Sequence, residues 1–392
     1  MLPRLLSHER LRLLLAQAGL LSCIAALLLF PSQAVHAAQD GLSLCFQVIL
    51  PSLFPFFALS SLAVELGLVS CLGRLLAPLM IPLFRVPGEG AAALALGFVG
   101  GYPAGARTTL ALYKKGLCSK TEAERMLAFC NNSGPAFILG VVGIGVFSSG
   151  QAGLLLYLAH AAASLCIGLL FRFYKPGERP SRQTHSPPRF EAPRLSAAFT
   201  SAVGDAFRST LNICAFVVFF AVLIRLLLLT GAIPSLSRGI AFLLAPLGLS
   251  HESVEKLLIG LLELSSGVAG LRGGQGQLGL AAFMLGWAGL SVHCQVLSFV
   301  GTGGLSVKPY FLGKLLHGGL SALLLAGLTR LFPAALPVSD TLIQQVEDLT
   351  HLDFSTALTW STAAAFLLWL LFFLLGLFAM GKNSGNRKRK ML

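Results

Sequence analysis

This chain has little charge. Of its 392 residues only 11% are Asp, Glu, Lys or Arg, whereas 55% are hydrophobic and the mean hydropathy is +0.78. That balance excludes a soluble fold. Catalytic signatures are missing as well. There is no HExxH, no GxSxG and no Walker A, so neither a known hydrolase motif nor ordinary ATP hydrolysis is available, and no enzyme activity is expected. The cysteines (Cys23, Cys45, Cys71, Cys118, Cys130, Cys166, Cys214 and Cys294) form no CxxC and no Cys/His ligand spacing. They read as small buried hydrophobes, and no metal or cofactor is expected.

What is present is a succession of apolar runs, several longer than the roughly 18 residues that mark a membrane-spanning helix. They lie near 13–31, 42–64, 67–84, 90–112, 128–147 and 151–171, then 210–230, 236–250, 254–271, 279–300, 311–332 and 357–380. The expected fold is an all-α polytopic membrane protein with about 10–12 transmembrane or re-entrant helices. The short runs 67–84, 236–250 and 254–271 fit re-entrant or interfacial segments as well as spans.

The net charge of +13 gathers at Arg4, Arg10 and Arg12, at residues 172–194, and at residues 382–390. Basic clusters flanking apolar spans are topology signals and contacts for anionic lipid, so lipid rather than nucleic acid is the expected partner. By the positive-inside rule both termini and the 172–197 linker are cytoplasmic, and the 31–41 loop, which has no Lys or Arg, and the acidic 333–356 loop are outside. Residues 1–41 form a first membrane segment, either a cleaved signal peptide or an uncleaved anchor. Residues 42–171 then run from outside to inside and residues 198–332 from inside to outside. Residues 357–392 are a last helix with a basic tail.

The two middle blocks look alike, which predicts inverted-topology repeats with broken helices. Leu75-Leu76-Ala77-Pro78-Leu79 recurs as Leu243-Leu244-Ala245-Pro246-Leu247, and each follows a Phe-Phe pair. Each is followed by polar interruptions: Gly100 to Arg107 and Cys130 to Pro135 in the first block, Glu263 to Gly270 and Gly289 to Gln295 in the second. Lipid offers no partner to free backbone amides, so an irregular turn at membrane depth must be buried in protein or line a cavity. Broken helices of this kind build transporter substrate sites near the midplane.

The candidate binding residues are therefore those of the interruptions. Asn131, Asn132 and Ser133 supply donors and acceptors, and Pro135 suits the first turn of a new helix whose amino end favours an anion. Gly101, Gly105 and Gly134 allow close approach of backbone, and Tyr102 adds a ring and a hydroxyl. Arg107 reads either as a carboxylate-binding fork or as a side chain reaching the inner interface. Ser291, His293 and Gln295 occupy the matching position in the second block. Glu263, the carboxylate deepest in a run, reads either as a proton-coupling group or as half of a structural ion pair with Arg107.

Leu50-Pro51-Ser52-Leu53-Phe54-Pro55-Phe56, Gly101 to Arg107, Cys130 to Phe137 and Gly289 to Gln295 together resemble the YlbJ-type sporulation membrane proteins, over residues 42–332. That family carries gate, or nucleoside-recognition, domains and is distantly similar to concentrative nucleoside transporters and to the gate domains of ferrous-iron transporters. The resemblance implies two gate-like repeats and transport of a small organic anion, dipicolinic acid, across the outer forespore membrane during endospore formation. The alternatives are a nucleoside or metal-ion transporter of the same superfamily, or a membrane scaffold that transports nothing. Oligomeric state is left open.

Overall fold

In lipid a chain must bond its own amides, and the apolar runs fold as helices accordingly. The computed structural model describes residues 8–67, 78–176, 194–245, 248–271 and 275–332, and these contain helices and no strands. The repeated Leu-Leu-Ala-Pro-Leu segments fall partly outside the described residues. Most of the basic linker, the 333–356 loop and the last helix and tail fall wholly outside them.

The amino-terminal part is α1 (His8–Leu29), α2 (Pro31–Leu44) and α3 (Leu50–Glu65), with a wider π-helical turn at Cys45–Ile49 between the last two. Residues 31–41, expected as an outer loop, are helical instead. Pro31 has no N–H to lose in a first turn, and the alanine-rich run behind it is a strong helix former. The chain bends by 99° between α1 and α2. Gly41 lets α2 lie close to α9: a β-carbon there would sit 3.1 Å from the Val218 Cα.

α9 (Leu195–Leu229) has 35 residues and starts well before the expected span. At 1.5 Å per residue it is about 50 Å long, more than a ~30 Å hydrocarbon layer requires. It builds a small separate core with α2 and α3, in which Cys45, Ile49 and Phe57 meet Ala206, Ile213 and Val217.

The main core lies elsewhere and is assembled from broken helices. The expected 90–112 span is α4 (Gly90–Gly100) and α5 (Ala104–Lys114), parted at Gly101. The 128–147 region is α6 (Lys120–Phe129) and the π-helical α7 (Ala136–Val146), parted at residues 130–135. α8 (Gly150–Phe171) is continuous. After α10 (Ala232–Leu244), the second half breaks twice more. α11 (His251–Leu262) and α12 (Leu264–Ala269) part at Glu263, and α13 (Gln275–Trp287) and α14 (Gly289–Val300) part at Ala288. α15 (Lys308–Leu331) closes the core. Among the described residues four helical stretches are long and apolar enough to cross a membrane, or five if α1 and α2 count as one bent span.

α15 is turned inside out relative to a soluble helix. Tyr310, Lys314, His317 and Ser321 share its buried face, while Leu312, Leu315, Leu323 and Leu331 are exposed. Positions spaced by three and four residues lie on one side of a helix, so its polar stripe faces protein and these exposed leucines face lipid. Small residues seat it: Gly318 crosses Gly286 of α13, where an added β-carbon would lie 2.5 Å from the Gly318 Cα. A carboxylate fixes its start. Glu124 of α6 accepts the Ser306 amide at 2.9 Å and also bonds Tyr174 and Lys175. Beside it, buried Arg125 donates to the carbonyls of Arg85, Tyr174 and Lys175.

Candidate functional site

In each half the two breaks pack against each other through glycine. The Cys130 carbonyl is held between Gly97 and Gly105; a β-carbon on either would lie 1.8 Å from its oxygen. Gly101, at φ +69°, faces the Gly134 amide. In the second half Gly289, at φ +81°, faces the Leu264 amide in the same way. Left-handed backbone and backbone-to-backbone contact both require glycine. The space beside Gly101 and Gly105, expected to admit a ligand, is thus filled by the other break.

The side chains of these breaks meet in a buried polar cluster. Tyr310 joins the halves: its hydroxyl lies 2.9 Å from Nδ1 of His293 and 3.5 Å from Nδ2 of Asn131. Tyr102 reaches across to donate to the Leu285 carbonyl of α13. Asn132 donates to the Phe129 carbonyl at 3.0 Å, bonding its own turn. The Ser133 amide donates to Nε2 of His160 on α8 at 3.0 Å, so this nitrogen carries no proton. The His160 ring lies 4.3 Å from that of His317, whose Nε2 donates to the His160 carbonyl. Nδ1 of His317 is then an acceptor, 3.2 Å from the Lys314 ammonium. Lys314 also donates to the Asn131 carbonyl at 2.9 Å and to Tyr102 at 3.4 Å. Trp287 and Phe311 wall the His293 ring at 4.3 and 5.0 Å.

Much of the polar capacity on these elements has no protein partner among the described residues. Asn131 Oδ1, Asn132 Oδ1, His160 Nδ1, His293 Nε2, Gln295 Oε1 and Ser321 Oγ are all buried in this condition. Native interiors satisfy the great majority of such groups, so a concentration of them in one region indicates something else to bond.

Most of the expected residues are brought together: Gly101, Tyr102, Gly105, Asn131, Asn132, Ser133, Gly134 and His293. Ser291, His293 and Gln295 are not in a loop; the break falls just before them, and they are buried on the first turns of α14. Arg107 is placed otherwise. It is half-buried on α5 and donates to Ser209 of α9, where the main core meets the smaller one. Glu263 sits at the first break of the second half, but both its oxygens accept amides, from Ser265 at 3.0 Å and Ser266 at 2.7 Å, capping α12. Glu263→Gln replaces one acceptor with a donor, and the expected cost is about 1–2 kcal/mol of stability. Thermal melting of the variant beside wild type checks this; an unchanged melting point would mean the cap contributes nothing.

Sequence reasoning passed over His160, Tyr310, Lys314 and His317. Their signal is the polar stripe at 310, 314, 317 and 321 inside an otherwise apolar run, with the shorter His160/Ser164 pair facing it from α8.

Comparison with known proteins adds three findings. A family model described as "Gate: Nucleoside recognition" matches residues 46–170. The sporulation integral membrane protein YlbJ of Bacillus subtilis (strain 168) is 32% identical over 334 residues, covering 80% of this chain and 82% of that protein. Among solved structures, a variant of CNTnw in its intermediate 3 state aligns over 85% of this chain and 89% of its own, with a TM-score of 0.51 at 13% identity. That likeness is one of fold: the helical concentrative nucleoside transporter fold of a polytopic membrane protein.

Proposed function

The chain belongs to the family of the YlbJ sporulation integral membrane proteins, and on that premise we propose that it carries a small organic anion, dipicolinate, through the cluster where its broken helices meet. The observation that carries the reading is the set of buried, unpartnered polar atoms on Asn131, Asn132, His293 and Gln295, which come from breaks in both halves. A packing feature of a scaffold would gain nothing from leaving them unbonded, since each such group costs on the order of 1–3 kcal/mol. Hydroxyl, amide and imidazole groups around an aromatic wall suit a small, flat, polar ligand.

The same reading makes residues 42–171 and 198–332 inverted repeats. Its support is the recurrence, in each half, of two breaks packed on each other through a glycine with positive φ. The basic linker and both termini then face the cytoplasm, and in a sporulating cell the membrane is the outer forespore membrane. The variant of Glu263 also tests whether that residue couples transport to protons. If it exchanges a proton, Glu263→Gln transport loses its response to a pH gradient.

The experiment is uptake into proteoliposomes with dipicolinate, nucleosides and ferrous iron side by side. The expected result is saturable dipicolinate uptake with neither of the others above empty vesicles. Saturable nucleoside uptake would move the protein to its neighbours' substrate class, and no uptake of any would favour the scaffold.

A further inference from the structure

Lys314 is 1% exposed, on the buried face of a helix whose other face meets lipid. Its polar contacts are the Asn131 carbonyl, the Tyr102 hydroxyl and Nδ1 of His317, and its ammonium lies 5.0 Å from the Tyr102 ring centre. Every one of these partners is neutral. They satisfy N–H groups but supply no opposite charge, and an uncompensated charge in a dry interior is costly.

No carboxylate of the protein fills that role among the described residues. Lys175 with Glu124 and Lys256 with Glu252 are ion pairs away from this site. Glu124 is committed to Lys175, Tyr174 and the Ser306 amide. Glu263 gives both oxygens to the α12 amides. Around Lys314 stand His160, His293 and His317, two tyrosines and an asparagine. A site so composed has a basic group and no acidic one, and groups of three or more His, Cys, Asp or Glu able to hold a metal are absent from the described residues.

We infer that Lys314 is the cationic partner of the site, and that the anionic group of the transported molecule docks against its ammonium beside Asn131 and Tyr102, supplying the opposite charge that the protein does not. Arg107, the cation singled out by the sequence, lies against α9. The inference rests on the proposed transport function and adds to it the residue that makes the site select anions. Lysine suits a carboxylate here as a point charge, with Asn131 and Tyr102 supplying direction.

The test compares two probes of the same shape, dipicolinate and its uncharged diamide, by equilibrium binding to the purified full-length protein. Wild type should prefer the anion by about tenfold or more, the range of a hydrogen bond to a charged group. Lys314→Gln should bring that preference close to one, and Lys314→Arg should keep part of it. A general loss of structure weakens both probes together and leaves their ratio unchanged, which would overturn the inference. The wild-type ratio decides even where Lys314→Gln does not fold, since equal binding of anion and diamide shows that no charge is read. Wild type that binds neither probe removes the transport reading itself, and the inference with it.

Discussion

Gly105→Ala should leave little folded protein in the membrane. The added methyl would lie 1.8 Å from the Cys130 oxygen and 2.6 Å from its carbon, with Gly97 closing the other side. Both obstacles are backbone, so no side chain can rotate away. Relief requires the 130–135 turn to move, and that turn carries Asn131, whose carbonyl holds Lys314. Overpacking a core commonly costs about 1–3 kcal/mol, and a backbone clash of this depth belongs above that range. Gly204→Ala is the control: it is an exposed helical glycine with nothing within 4 Å of the added carbon, and alanine favours helix. Size-exclusion profiles and melting temperatures of the two variants should diverge sharply. A Gly105→Ala protein as stable as wild type would show that the breaks are not packed as described.

Tyr310→Phe should slow dipicolinate uptake about tenfold or more while the protein stays folded. The ring remains to fill its place, but the hydroxyl that joins His293 to Asn131 is gone. His293 then has neither nitrogen bonded, and the cluster loses one of its polar links between the halves, those through Tyr102, Lys314 and His317 remaining. Leaving a buried group unpaired costs about 1–3 kcal/mol, equivalent to roughly tenfold or more in a binding constant. Uptake measured at several substrate concentrations, together with the melting temperature, separates a site from a packing contact. A large fall in melting temperature with uptake per folded molecule unchanged would identify Tyr310 as structural.

The sequence makes the membrane class and the positions of the breaks legible, because both depend on local composition. Glycine, proline, asparagine and a lone carboxylate inside apolar runs mark Gly101, residues 130–135, Glu263 and Gly289; helices part at the first three and, next to Gly289, at Ala288. Helix existence was less legible where a loop was inferred from missing charge. Residues 31–41 have no lysine or arginine, yet Pro31 starts a helix there. The early start of α9 was hidden because its first turns are less apolar than the span that follows.

The site was only half readable for a different reason. Which cation faces the cluster depends on helical phase and on the exact residue at which each break falls. Arg107 stands within an interruption and draws attention, whereas Lys314 stands four residues after Tyr310 in a run that averages apolar. Averaging over the run conceals the buried stripe. The capping of α12 by Glu263 was likewise invisible, since a carboxylate at a break can serve a ligand, a cation or its own helix.

The most direct measurement is a structure of the full-length protein prepared with saturating dipicolinate, compared with one prepared without it. The account predicts a flat density within hydrogen-bonding distance of Lys314 and of side chains from both halves, Asn131 and His293 among them. An unchanged cluster, with the anion bound elsewhere or at Arg107 alone, would contradict it.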